Sequence, residues 1–339
     1  MSRILVTGGC GYIGSHTIVE LIENGFEVIS LDNLENSSDN VLDGVYSITG
    51  TRVKNYAVDL RDKDALGTFF ESQPPFTGII HFAALKSVND SVKEPLSYFE
   101  NNVTGMINLL QFVNVYNIPH FVFSSSCTVY GIPATLPVTE DFPYGEVESP
   151  YGRTKQICEM ILQDFIPAHP KTKVISLRYF NPAGAHPSIM IGEDPANVAQ
   201  NLAPVITETA IGKRDKMIVF GDDYDTRDGY CVRDYIHVSD LANAHILCLR
   251  HLENTPNAPA WDTFNVGIGQ GVTVLEAIEA FENVTGQKLN YSIGPRREGD
   301  IPAIYSNYTK AKSMLGWEPK LGIKEIMDTA WKWEQKRNG

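Results

Sequence analysis

Through its first half the chain alternates short apolar runs with longer stretches whose apolar positions recur at helical spacing. Ile4-Leu5-Val6 is too short for anything but a buried strand, and Ser15 to Ile22 follows it as a helix. Glu27-Val28-Ile29-Ser30-Leu31 reads as a second strand ending in Asp32, and the polar turn from Asn33 to Ser38 leads into a weak helix. Further strands are expected over Val53 to Val58 (ending in Asp59), Gly78 to Ala84, His120 to Phe123 (ending in Ser124-Ser125-Ser126) and Lys173 to Phe180. The stretches 64–72, 92–116 and 150–166 between them carry helical spacing. Strands that are apolar almost throughout, joined by helical crossovers, specify a parallel sheet with helices on both faces. Ligands on such a sheet gather at the carboxyl ends of the strands, where these polar residues fall.

Beyond Asn181 the pattern loosens into longer loops and shorter strands. Asn201 to Gly212 reads as a helix, Met217 to Gly221 as a strand, 238–252 as a helix and Lys324 to Glu334 as an amphipathic tail. The expected organisation is a first domain over 1–180 and a smaller α/β substrate lobe over 181–339, with residues 238–266 as candidates to return to the first domain. No internal repeat or flexible linker separates the two.

At 339 residues and 43% hydrophobic content, the chain can bury a substantial core. Its formal net charge of −13 argues against non-specific binding to nucleic acid or anionic membranes. A phosphate-bearing ligand would therefore need locally gathered Arg and Lys. The 5 cysteines are scattered and never form C-x-x-C, which reads as reduced thiols in the cytoplasm. The N-terminus enters the first strand with no charged leader pattern, and no apolar run has membrane-spanning length. The 8 histidines include no H-x-x-x-H pair, so metal catalysis is not expected. The acidic loop from Asp222 to Gly229 lacks the alternating ligands and closing Glu of an EF-hand loop and reads as solvated.

Two constellations carry chemistry. Between the first strand and first helix lie Gly8, Gly11 and Gly14, spaced G-x-x-G-x-x-G around Tyr12 and Ile13. Backbone without Cβ atoms turns sharply, approaches a pyrophosphate closely and aims helix N-terminal amides at its charge. A glycine turn that holds no ligand would show the same spacing, so the context decides. The carboxylate of Asp32, at the end of the second strand, can accept hydrogen bonds from both ribose hydroxyls and would repel a 2′-phosphate. That favours NAD over NADP on a Rossmann-type doubly wound parallel sheet.

The second constellation is Ser149-Pro150-Tyr151-Gly152-Arg153-Thr154-Lys155. Tyr151 and Lys155 are i and i+4 and share one helix face. An ammonium near the phenol, together with a positive nicotinamide ring, favours the phenolate and is expected to lower its pKa from about 10 toward neutrality. Ser126 or Thr128, at the end of the fifth strand, can hydrogen-bond the same substrate hydroxyl and relay its proton.

On these residues the chain resembles the extended short-chain dehydrogenases/reductases, and among them the UDP-glucose 4-epimerase family, over essentially its full length. The resemblance rests on the runs Thr7 to His16, Leu31 to Leu34, His81 to Lys86 and Ser124 to Gly131. Arg178 to Pro182, Val232 to Val238 and Pro295 to Asp300 continue it into the second lobe. It implies Tyr151 as the base at the sugar 4′-hydroxyl, Ser126 in the relay and Lys155 on the nicotinamide ribose. Tyr12, Ile13, Asp32, Asn33, Asn36, Asp59, Leu60, Phe82, Lys86, Asn101, Ser124 and Phe180 match positions that cradle NAD. Asn181, Asn201, Leu202, Phe220, Arg233, Arg297 and Asp300 match positions that hold the UDP-sugar, and two arginines suit the bidentate contacts of a diphosphate.

The implied reaction is hydride transfer from C4′ to NAD, rotation of the 4-keto sugar and return of the hydride to the opposite face. Another NDP-sugar 4-epimerase or an NAD-dependent sugar-nucleotide dehydrogenase are the alternatives. Relatives that eliminate water carry Asp-Glu where this chain has Cys127-Thr128, which disfavours a dehydratase. Ile304 falls at the family's gate for N-acetylated sugars, and its intermediate volume leaves those substrates open. The apolar surplus over 92–116 and 150–166 matches a helix pair that meets its mate in a homodimer.

Overall fold

The computed structural model describes residues 2–195, 198–297 and 300–339. Packing divides the chain into two compact units. The first comprises Met1–Gly131, Glu140–Tyr179 and Ala242–Phe264, and the second comprises Ile132–Thr139, Phe180–Leu241 and Asn265–Gly339.

The first unit is built on strands β1 (Arg3–Thr7), β2 (Glu27–Leu31), β3 (Asn55–Tyr56), β4 (Gly78–His81), β5 (His120–Ser126) and β6 (Lys173–Tyr179). They pair in parallel in the order β6-β5-β4-β1-β2-β3, and the strand Trp261–Val266 adds a seventh beyond β6. Leu5, Ile79, Phe121 and Val174 show no exposure and pack with Leu66, Leu109, Val113 and Leu162 from the helices. Both faces being covered explains why these strands read as continuous apolar runs. β1 lies between β2 and β4, so consecutive connections leave it in opposite directions. Such a switch point opens a crevice beyond the carboxyl ends of the strands, where Asp32, Phe82 and Ser126 follow.

The expected single helix over 92–116 is instead broken. Helix Val88–Lys93 stops at Glu94, a turn Pro95–Tyr98 follows, Phe99–Thr104 is wound as π-helix, and Gly105–Val115 is regular. Pro95 has no N–H and disfavours helical backbone at Glu94, which sits at φ −126° and ψ 58°. The strand expected over Val53 to Val58 shrinks to Asn55–Tyr56.

Residues 132–139 join the second unit because Val138 N donates to the Tyr305 carbonyl at 3.0 Å and Asn265 Nδ2 to the Val138 carbonyl at 3.0 Å. The second unit pairs Asn181–Ala183 with Tyr235–His237, Met217–Phe220 with Tyr291–Gly294, and Val232–Arg233 with both Val272–Thr273 and Ala303–Ile304. Its core gathers Ile206, Ile278, Phe281, Ile326 and Met327. Helix Val274–Thr285 starts in a capping box of Thr273 and Glu276, a signal present in the sequence. Among the described residues no helix is long and apolar enough to cross a membrane.

Candidate active site

The glycine loop is shaped by close approach of backbone to backbone. Gly8 is left-handed at φ +71°, and a Cβ there would lie 2.7 Å from the Ala83 nitrogen. A Cβ at Gly14 would lie 2.2 Å from the Gly8 carbonyl oxygen. Gly11 caps the helix α1 (Tyr12–Glu23) without a side-chain hydrogen bond, and no acidic side chain occupies its first turn. A helix start with neither a side-chain cap nor an acidic residue in its first turn suits an anion.

The buried Asp32 carboxylate accepts from Cys10 N at 3.0 Å on one oxygen and from Leu34 N and Ser37 Oγ, both at 2.9 Å, on the other. It is held rigidly at the end of β2. Burial and then Asp32 push the Cys10 thiol up to about 12, which leaves it unreactive. Asn33 Nδ2 donates to Asp59 at 2.8 Å. Asp59 is pulled down to about 2, first by its hydrogen bond from the Arg61 guanidinium, which lies 2.6 Å away.

Tyr12 and Ile13 are half-buried, while Asn36 and Lys86 are exposed. Leu60 lies in the core. Phe82 N donates to Thr7 O at 3.0 Å, and its ring lies 4.8 Å from that of His245. Asn101 Nδ2 donates to Asn102 Oδ1 at 2.9 Å. Asn102 itself was not picked out by the sequence pattern. It is buried on the π-helical turn and donates to the Leu85 carbonyl at 3.0 Å and to Thr154 Oγ1 at 3.1 Å.

Tyr151 stands in the first turn of the helix Pro150–Ala168, which begins where Ser149 Oγ accepts from Gly152 N at 3.2 Å. Pro150 fits there because its missing N–H would have been unpaired. Ser126 is the last residue of β5, the strand whose Ser124 carbonyl holds Lys155 of this helix. Ser126 Oγ accepts from Thr128 N at 3.2 Å. Among the described residues the buried Oγ1 of Thr128 has no hydrogen-bond partner.

Lys155 lies one turn on, 4% exposed, with Nζ donating to the Ser124 carbonyl at 2.6 Å. Its ammonium is 5.8 Å from the Tyr151 ring centre and 5.0 Å from that of Phe123. Without the charge of a nicotinamide ring, the expected acidification of the phenol has only Lys155 to draw on. Burial pushes Tyr151 up to about 12, only partly offset by Ser126, and brings Lys155 down to about 8. An ammonium aimed at a backbone carbonyl, and itself desolvated, does not outweigh the cost of burying a phenolate.

In the second unit, Asp300 gathers the two arginines. Arg297 donates to it from Nε at 3.1 Å and from Nη2 at 2.6 Å, and Arg233 Nη2 lies 3.5 Å from the same carboxylate. Arg233 is further anchored by the Ile301 carbonyl at 2.8 Å, and the Arg297 guanidinium lies 5.7 Å from the exposed Phe220 ring. Ile304 is 3% exposed and in register with Arg233. Asn181 N donates to the Asp234 carbonyl at 2.9 Å, and Asn201 Nδ2 to Glu193 at 2.7 Å. Phe180 is buried and Leu202 packs against the core of this unit.

The family described as GDP-mannose 4,6 dehydratase matches residues 5–330. A UDP-glucose 4-epimerase of Bacillus subtilis (strain 168) is 48% identical over 331 residues, 98% of this chain and 96% of that one. The structure of the UDP-glucose 4-epimerase from Bifidobacterium longum in complex with NAD+ and UDP is 42% identical, with a TM-score of 0.95 and 99% of each chain covered. That from Stenotrophomonas maltophila, with bound NAD and formylated UDP-arabinopyranose, is 41% identical with a TM-score of 0.95, covering 100% of this chain and 99% of the other. The family description names a dehydratase, yet the positions after Ser126 hold Cys127 and Thr128, neither a carboxyl acid. Matched over residues 5–330 and 48% identical to a relative over 98% of its length, the chain belongs to this broad family and, within it, to the UDP-glucose 4-epimerases.

Proposed function

We propose that the chain interconverts UDP-galactose and UDP-glucose by transient oxidation at C4′, with NAD as its resident cofactor. The observation that carries the reading is the helix that sets Tyr151 one turn before Lys155, with Lys155 Nζ fixed on the Ser124 carbonyl of β5, in the same compact unit as the glycine loop and the clamped Asp32. Bound NAD supplies an oxidised, positively charged ring that can take a hydride from the sugar and return it.

The residues of the chain do the rest. Tyr151 Oη, as the phenolate that Lys155 and a bound nicotinamide's charge would favour, accepts the 4′-hydroxyl proton with Ser126 in the relay, and Thr128 Oγ1 supplies a further hydrogen-bonding group. Lys155, fixed on the Ser124 carbonyl, contributes positive charge near the phenol and a donor for the nicotinamide ribose. Gly8, Gly11, Gly14 and the start of α1 receive the pyrophosphate, while Asp32 takes the ribose hydroxyls. We assign the UDP diphosphate to Arg233 and Arg297, which Asp300 holds in place and whose combined charge it only half cancels. Preset donors lose little freedom on binding.

Incubating the purified chain with UDP-galactose tests this directly. UDP-glucose should appear without net NADH, whereas stoichiometric NADH would identify a sugar-nucleotide dehydrogenase instead. Ile304 keeps a second reading in view, turnover of UDP-N-acetylglucosamine and UDP-N-acetylgalactosamine, which the same assay measures.

We also propose a cytoplasmic homodimer. A groove of about 210 Å³ between helices Gly105–Val115 and Pro150–Ala168, lined by Ile107, Leu110, Ile161 and Phe165 among others, supports a mate packing there. Light scattering should return twice the chain mass.

A further inference from the structure

Behind the Tyr151 helix lies a buried polar cluster that contacts neither the glycine loop nor the phenol. Glu159, four residues beyond Lys155, shows no exposure, and Ser125 and Arg178 are 1% and 3% exposed. One Glu159 oxygen accepts from Ser125 Oγ and from Arg178 Nε at 3.1 Å. The other accepts from Arg178 Nη2 at 2.7 Å and from Tyr144 Oη at 2.9 Å. Arg178 completes its fan by donating to Tyr130 Oη at 3.0 Å and to the Glu140 carbonyl at 3.3 Å. Its guanidinium also faces the Tyr130 ring at 4.9 Å and the Tyr144 ring at 5.6 Å.

A buried ion pair of this kind is a poor source of stability, because desolvating two charges consumes most of their attraction. Its use has to be sought in geometry. Ser125 and Arg178 are register partners on β5 and β6, and Ser125 immediately precedes Ser126. A single carboxylate therefore ties the strand end that carries Ser126 to the helix that carries Tyr151 and Lys155. Sites whose supporting groups are left loose lose productive geometry by fractions of an ångström.

We infer that Glu159, through Ser125 and Arg178, is a positioning residue that sets Ser126 against the helix face of Tyr151 and Lys155 for catalysis. This rests on the reading under Proposed function. Glu159 also acts on Lys155 through charge. Lys155 is faced by Tyr151, Cys158 and Glu159 from its own helix and by His81 from β4, and Glu159 is the carboxylate among them. Losing that charge, and leaving the Arg178 cation uncompensated, both favour the neutral amine.

The test compares wild-type chain with Ser125→Ala, Glu159→Gln and the paired Glu159→Leu/Arg178→Met, which removes both charges together so that folding is spared. Each is assayed for melting temperature, NAD content, and kcat and KM for UDP-galactose from neutral to alkaline pH. Ser125→Ala and the paired variant should melt cooperatively and retain NAD, with kcat down about tenfold and KM nearly unchanged. In Glu159→Gln the alkaline limb of kcat should move to lower pH. Wild-type kcat in both Ser125→Ala and the paired variant, with an unmoved limb, would overturn the inference alone. A wild-type chain that leaves UDP-galactose untouched would overturn the functional reading and this inference with it.

Discussion

Lys155 Nζ donates to the Ser124 carbonyl at 2.6 Å while standing 5.8 Å from the centre of the Tyr151 ring. The lysine is thus a fixed charge beside the phenol, held by the backbone of β5. Fixing the charge on a backbone carbonyl keeps it from wandering toward solvent, and dry surroundings strengthen its field. The same dryness works against both ionised side chains.

Replacing Tyr151 by Phe should remove the proton acceptor and leave the cradle intact. Turnover is expected to fall about 10³-fold, within the range of general acid–base contributions, with NAD content unchanged. Retention of more than a tenth of wild-type kcat would remove Tyr151 from its assigned role.

Lys155 should cost stability at neutral pH. Its folded pKa of about 8 lies below its ordinary 10.5, so the unfolded chain binds more protons between those values. Stability therefore rises with pH through that window, and below it the full penalty of burying the ammonium is present. Lys155→Met should gain roughly 1–2 kcal/mol at pH 7, after subtracting the hydrogen bond lost by the Ser124 carbonyl, and lose most of its activity. Urea unfolding at neutral and alkaline pH reads the difference. A variant less stable than wild type at pH 7 contradicts the account.

The glycine loop should tolerate far less than an ordinary turn. Gly14→Ala drives a methyl group to 2.2 Å from a backbone carbonyl and should abolish NAD retention and lower the melting temperature. Gly25→Ala, at φ +81° with no atom within 4 Å of its added Cβ, should cost only the backbone strain of about 1–2 kcal/mol and keep NAD. Equal cofactor loss in both would mean that the loop has no special fit.

Ile304→Tyr should reduce turnover of any N-acetylated UDP-sugar while sparing UDP-galactose. Because Ile304 is 3% exposed, a melting curve must accompany the assay to separate gating from overpacking. Equal loss on both substrates, in a variant that folds normally, would refute a gate at this position.

What could be read from the chain alone is what lies within a turn or one strand–helix step. The spacing of Gly8, Gly11 and Gly14 between an apolar run and a helix, Asp32 at the next strand end, and Tyr151 one turn before Lys155 are local patterns set by periodicity. The parallel sheet followed from continuous apolar strands, because covering both faces leaves no room for polar alternation. The tertiary structure decided the rest. Glu159 meets Ser125 34 positions away, and Val138 meets Tyr305 from the far end of the chain; neither contact leaves a local pattern. How far the folded chain strips water from the Tyr151 phenol and the Lys155 ammonium was likewise out of reach, since it is a sum over many distant side chains that no spacing of Tyr and Lys records.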